Sequence, residues 1–297
     1  MIESTMGNDN TRWVKRLDGL ISQRLKKSEQ EAIRRFVKDY LHIVPSGDIA
    51  DKSVDDVFSQ LLSAWQFIQR FETIDEQRPK IAIINPDSEQ SPWQSSHTIV
   101  MLLQADMPFL VDSVRMHLAS RQLTIHAVQN LVYQAQRSRA GNLKQQVACA
   151  YEQGLPIDMQ GYQPEAFMYF EVDRIAGDEP LKVLLEELHS VLCDVRVVVD
   201  DFKDMGREIS AVIRDLENNP PPIPQEEVSE AIAYLNWLNK NNFTFLGYKN
   251  YRISKKSGRA FIHHESHGEL GLFKHHEELI KDKYIDSLLP DVRDHVM

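Results

Sequence analysis

The histidines are the residues that invite a chemical reading first. Five of them, His263, His264, His267, His275 and His276, crowd one short stretch. Imidazoles at that density raise the question of a metal site. The pattern argues against one. Adjacent histidines on a strand point to opposite faces, no cysteine is near, and lysines and glutamates are interleaved as on a solvated surface. These histidines read as surface, and no metal is expected. His126 stands alone in an apolar run and reads as a core histidine with one hydrogen bond. Cys149 and Cys193 lie far apart among apolar residues, without metal-ligand spacing, and read as buried free thiols. There is no GxGxxG and no P-loop, so no dinucleotide or phosphate cradle is expected in these residues. No catalytic residue is assigned.

The most informative stretch centres on Asp106-Met-Pro-Phe-Leu-Val-Asp-Ser-Val114. Thr98 to Leu103 before it is short, apolar and β-branched, as a buried strand would be. Asp106 is a favoured N-cap, and Pro108 fits the first helical turn, where its missing N–H has no partner to lose. Phe109, Leu110, Val114 and Leu118 then recur at helical spacing, with Asp112, Arg115 and Arg121 on the other side. Ile125 to Tyr133 returns as a strand.

The elements that hold this unit follow from periodicity. Residues 12–41 read as helical, with an apolar stripe from Trp13 to Leu25 resumed from Ile33 to Leu41. Pro45-Ser-Gly47 is a turn. Ser53 is the expected N-cap of a second amphipathic helix reaching about Glu72, with Asp56 in the position of the capping-box Glu. Pro79 to Ile84 is a short strand, and 85–96 is a loop. Leu131–Gln136 and Leu143–Tyr151 form a hairpin about a turn at 137–142. The stretch 154–164 is a loop, and Phe167 to Val172 is a strand by its aromatic and β-branched content. Glu171 and Asp173 read as solvent-facing. From Asp178 or Glu179 to Leu216, apolar residues recur every three or four positions, the mark of a long packed helix or helix pair, with Gly206 a candidate break. Val195 to Val199 is β-rich, but period outweighs propensity over so long a run. Asn218-Asn-Pro-Pro-Pro-Ile-Pro224 is the clearest boundary. Beyond it lie a helix from Glu226 to Lys240 and strands at Phe243–Tyr251 and Arg259–His263, joined by a turn at 255–258.

The β–Asp–x–Pro–helix–β unit resembles the first half of an ACT domain, a small βαββαβ module that often binds amino acids. Three motifs in order, Asp106 to Val114, Glu165-Ala-Phe-Met-Tyr-Phe-Glu-Val-Asp-Arg174 and Asn242-Phe-Thr-Phe-Leu-Gly-Tyr248, resemble the N-terminal region of the large bacterial NAD-specific glutamate dehydrogenases. The resemblance covers roughly half of the chain. Together with the elements above it gives an α+β fold: a helical N-terminal lobe (1–75), a ferredoxin-like βαββα ACT-like domain with a long C-terminal helix (76–218), and the truncated start of a second α+β, ACT-like unit (219–297). It implies NAD-dependent deamination of L-glutamate to 2-oxoglutarate by the longer parent polypeptide, with NAD bound outside this piece. It also implies an effector at the strand–helix turn: Asp106, Met107, Pro108, Phe109, Asp112 and Ser113. The family pattern has glycine after the proline where this chain has Phe109. On the residues alone, the preferred reading is that Asp106 caps the helix and Phe109 packs in the core. The family pattern also places His-Pro near the end of the following strand. Gln129-Asn130 stands there, so no role of that histidine is carried over.

Composition bounds the partners. A net charge of −10 and a pI near 5.6 argue against nucleic acid and anionic membrane as partners. No apolar run approaches the length of a membrane span, and no leader-like segment opens the chain. The expected setting is cytoplasmic. The expected partners are the downstream dehydrogenase domain, further copies of the chain, and an amino-acid effector. The alternative is a purely structural assembly module that binds nothing small.

Overall fold

The computed structural model describes residues 3–71, 78–87, 93–148, 161–256, 259–264, 268–276 and 283–284. Cys149, His267, the chain beyond Leu289, and parts of the expected loops and of the 255–258 turn lie outside them. The chain divides into two compact units, Met1–Cys193 and Asp194–Met297.

The first unit begins with four helices: α1 (Glu3–Arg24), α2 (Lys27–Ile43), α3 (Gly47–Ala50) and α4 (Val54–Ile68). The single helix expected over 12–41 is two. Lys26 is extended, with φ −66° and ψ 144°. The Gln30 amide donates back to the carbonyls of Ser22 and Leu25 at the end of α1, satisfying acceptors that a helix terminus leaves open. The polar run between the two apolar stripes is therefore a corner. Gly47 opens a short helix rather than ending a turn. Ser53 does cap α4, its Oγ accepting from the Asp56 N–H at 3.0 Å. That helix ends at Ile68, short of the expected Glu72.

A five-stranded sheet follows: β1 (Lys80–Ile84), β2 (Thr98–Ala105), β3 (Ile125–Arg137), β4 (Leu143–Ala148) and β5 (Gln163–Val172), with α5 (Leu110–Ser120) between β2 and β3. The spatial order is β1-β2-β5-β3-β4, and every pairing is antiparallel. In a βαββαβ sheet the last strand pairs with the first. Here β1, from ahead of the unit, takes that edge beside β2. No strand is needed after the second helix, and Val195–Val199 is helical within α6 (Asp178–Asn218). Gly206 does not break that helix. Its missing Cβ leaves room for Asn239, whose Oδ1 would lie 3.1 Å from one.

Strand alternation divides the sheet into two apolar faces. Ile99, Met101, Leu103, Leu131, Tyr133, Phe167 and Tyr169 pack with α1, α2 and α4 in one core. The rings of Phe36, Tyr40, Phe67 and Phe167 meet at 5.7–6.4 Å. Phe36 and Phe167 are fully buried, each contributing about 1.5–3 kcal/mol relative to exposure. On the other face Val100, Leu102, Ala166, Met168, Phe170 and Val172 are buried, as are Leu110, Val114 and Leu118 of α5 and Leu184, Leu188 and Leu192 of α6. Glu187 joins these two helices through His117 at 3.1 Å and Arg121 at 3.4 Å. The helical lobe thus covers the face that a two-layer α/β module would leave open.

The second unit contains the rest of α6, then α7 (Gln225–Trp237), which ends in a wider turn at Leu238–Asn242. Short strands follow: β6 (Gly247–Tyr248), β7 (Tyr251–Lys256), β8 (Arg259–His264), β9 (Leu270–Gly271) and β10 (Lys283–Tyr284). They pair as β10-β8-β7 and β6-β9. The strand expected from Phe243 starts only at Gly247, and Phe243 is exposed. No described helix is long and apolar enough to cross a membrane.

Candidate functional site

The turn from β2 into α5 differs from the expectation in two respects. The helix begins at Leu110 and its N-cap is Phe109, not Asp106. Asp106 is instead held at its backbone, where its N–H donates to the Pro164 carbonyl at 2.9 Å. Pro108 lies in the turn ahead of the helix. Phe109 adopts φ 72° and ψ 0°, the left-handed conformation that a bulky residue rarely takes and glycine takes freely. The backbone therefore keeps the shape glycine would give. Phe109 is 46% exposed and not packed in the core as expected.

No side chain caps α5. By helix geometry the N–H groups of Leu110, Val111 and Asp112 have no intrahelical acceptor; that of Ser113 is bonded to the Phe109 carbonyl. Asp112 stands in the first turn, where the dipole favours a carboxylate. Partial burial raises the pKa of Asp106 from the ordinary aspartate value, with the Met107 N–H pulling the other way. The start of α5 thus offers backbone N–H donors, with Asp106 ahead of the helix and Asp112 in its first turn.

A second constellation was not expected from sequence. Glu171, read there as solvent-facing, is 5% exposed. It shares its strand face with Phe167 and Tyr169, under the helical lobe, where Lys52 from the α3–α4 connection reaches it at 2.7 Å. His97 at 3.3 Å and the Tyr169 hydroxyl at 3.1 Å also reach Glu171. Gln129 donates to Asp48 at 3.1 Å and accepts from Tyr40 at 3.3 Å. Burial first, and the Glu171 carboxylate second, push the Tyr40 and Tyr169 phenols well above their ordinary range, so both act as neutral donors. The cavity among Tyr40, Asp48, Lys52, Gln60 and Gln129 is about 10 Å³, room for one water at most. This is a closed polar clasp between lobe and sheet, too small for a substrate. Only the lobe's placement, unreadable from the β5 pattern, reveals it.

His126 is exposed rather than in the core. The β3–β5 register slips between Ile125 and Ala127, making His126 the extra residue of a bulge, which re-aims a side chain. It contacts Asp173 at 2.8 Å and stacks on His97 with centroids 4.0 Å apart. Asp173 also accepts the Thr124 N–H at 2.8 Å. These contacts, the Thr124 bond foremost, lower its pKa to about 2. Cys193 is free and half-buried. Among the described residues no group of three or more His, Cys, Asp or Glu is arranged to hold a metal. A cleft of about 280 Å³ lies at the opposite end of α5, between Arg121, Gln122, Ile175 and Leu184. Arg121 is the charged group of its lining and is paired with Glu187.

The antiparallel sheet with α5 and α6 on one face, and the Pro-bearing turn into α5, define an ACT-like α+β domain. Residues 36–188, just over half of the chain, match the family model described as glutamate dehydrogenase, ACT1 domain, and the chain belongs to that family. It is 37% identical over 262 residues to the NAD-specific glutamate dehydrogenase of Halomonas elongata, and 33% identical over 258 residues to that of Pseudomonas aeruginosa. These matches take in 88% and 86% of the chain but only 16% and 15% of the relatives' lengths.

Proposed function

We propose that this chain is the N-terminal regulatory and assembly region of an NAD-dependent glutamate dehydrogenase. In this reading it contributes no catalytic group. The oxidative deamination of L-glutamate to 2-oxoglutarate and ammonia, and the NAD that accepts the hydride, belong to other parts of the same polypeptide. The region senses an amino acid at the turn of Asp106, Met107, Pro108, Phe109, Asp112 and Ser113, and takes part in self-association.

The carrying observation is the glycine-like turn at Phe109. It leaves the α5 N-terminus without a side-chain cap while turning the ring outward. An amino-acid carboxylate fits the N–H groups of Leu110 to Asp112. Its ammonium group fits the Asp106 carboxylate, an opposite charge. The alternative, a scaffold that binds nothing small, is favoured by Asp112, which already complements the helix dipole.

Isothermal titration of the 297-residue chain with a panel of amino acids separates the two. Saturable heat that Asp106→Ala weakens at least tenfold supports sensing at the turn. Binding that survives Asp106→Ala but is lost in Arg121→Ala moves the site to the cleft at the other end of α5. Flat heats throughout, with concentration-dependent light scattering, establish the scaffold reading.

A further inference from the structure

Helix α5 ends in a turn that suits glycine but carries a polar side chain. The Leu123 N–H bonds back to the Leu118 carbonyl at 3.1 Å, and the Gln122 N–H to that of Ala119 at 2.9 Å. This pair of bonds closes a helix through one left-handed residue. That residue is Gln122, at φ 59°. Glycine takes the conformation freely, and glutamine takes it at a cost. What glutamine adds is an amide at the cleft of about 280 Å³ beside the turn. The apolar lining of that cleft is Leu123, Ile175, Pro180 and Leu184. Its polar lining is Ser120, Arg121 and Gln122, and none of its lining is acidic.

Arg121 supplies the charge. Its Nε meets the Glu187 carboxylate at 3.4 Å, which holds the guanidinium in place. Among the described residues only this nitrogen of its side chain is engaged. The Nη1 and Nη2 end, which matches a carboxylate in two parallel bonds, is left for a ligand. The volume is at the lower limit for small-molecule sites, and the lining offers no counter-charge to an ammonium group. We propose that this cleft binds a small monocarboxylate. Its carboxylate meets Arg121 and the Gln122 amide, and its short hydrocarbon tail packs on Leu123, Ile175, Pro180 and Leu184. Glu187 is a positioning residue for Arg121. The length of α5, 11 residues, puts about 16 Å between this cleft and the turn at Phe109. The cleft site therefore stands whether or not an amino acid binds at that turn.

Titration of the 297-residue chain with 4-methylpentanoate, followed by amide NMR shifts, tests this. Saturable shifts are expected at Gln122, Leu123 and Ile175, and not at Leu110 to Asp112. Leucine, the same skeleton with an ammonium group, should bind the cleft about tenfold more weakly or worse. Acetate, which lacks the tail, should also be weaker by roughly tenfold. Arg121→Gln should weaken 4-methylpentanoate by about tenfold or more, as loss of a charged hydrogen-bond partner does. Gln122→Gly keeps the backbone turn and should weaken it by about two- to tenfold, which keeps the test decisive if Arg121→Gln disturbs the fold. No saturable shift at the cleft, unchanged affinity in either variant, or leucine or acetate binding there as tightly as 4-methylpentanoate overturns the proposal. Shifts confined to Leu110–Asp112 overturn it too, and leave the amino-acid reading of that turn intact.

Discussion

The Arg137 guanidinium grips the Glu165 carboxylate through two bonds, Nε to Oε1 at 2.5 Å and Nη2 to Oε2 at 2.7 Å, with both side chains at most 6% exposed. Arg137 also donates to the carbonyls of Ile68, at the end of α4, and Gly141, in the β3–β4 turn, each at 2.9 Å. One side chain therefore ties the sheet, the helical lobe and the hairpin together. Removing one member of a buried pair strands the other's charge. Glu165→Ala should lower stability by about 3–5 kcal/mol, read as a shift in the urea midpoint. The double variant Arg137→Met/Glu165→Leu should recover much of that loss, since neither charge is then left unpaired.

Phe109 holds a left-handed backbone without the compensation of a buried ring. Phe109→Gly should leave stability unchanged or raise it by up to about 1 kcal/mol, because relief of strain competes with the greater freedom of glycine in the unfolded chain. Phe109→Val should lower it by about 1–3 kcal/mol, since a β-branched residue tolerates this conformation least. Thermal melts of both variants check the order. A glycine variant less stable than the valine one would contradict the backbone assignment.

Asp173 gives a signed pH dependence. Its folded-state pKa, about 2, is below the unfolded value near 3.9. Its contribution is therefore complete above about pH 4 and is lost as pH falls toward 2. Asp173→Asn should be less stable than the parent at pH 5–7. The difference should narrow steadily in urea titrations taken between pH 4 and 2. A gap independent of pH would assign the effect to packing instead of the Thr124 and His126 bonds.

Gln104 is fully buried in β2, and neither of its amide atoms has a partner among the described residues. An unpaired buried amide costs about 1–3 kcal/mol. Gln104→Met, similar in volume, should raise the melting temperature. A fall would show that the amide is satisfied in solution, for instance by a buried water.

The strands and helices of the first unit were largely legible because their cores are two-sided. Thr98 to Leu103 is buried without alternation, as its uniform apolarity suggests, and α6 follows its heptad-like period through Gly206. Glu171 was not legible. A charged residue alternating with aromatic ones reads as solvent-facing unless something covers that face, and the cover comes from Lys52, 119 residues away in the chain. The turn at Phe109 was missed for a related reason. Asp and Pro at the right spacing satisfy the local rules for a helix start, but the Asp106 N–H bonds the Pro164 carbonyl and so continues the β2–β5 pairing past Ala105, and the helix starts only at Leu110.

What the sequence determined by itself is the inventory: an α+β chain, a strand–turn–helix–strand unit at 98–133, a long helix from Asp178, and the family resemblance carried by three ordered motifs. These depend on local period and residue type, which act over a few residues. Tertiary structure alone decided the assignments that depend on distant partners. These are the strand ahead of the unit that fills the sheet edge, the burial of Glu171, the bulge that turns His126 outward, and the pairing of His275 and His276 with Asp194. Each depends on which surface meets which, and alternation along one strand or period along one helix does not encode that.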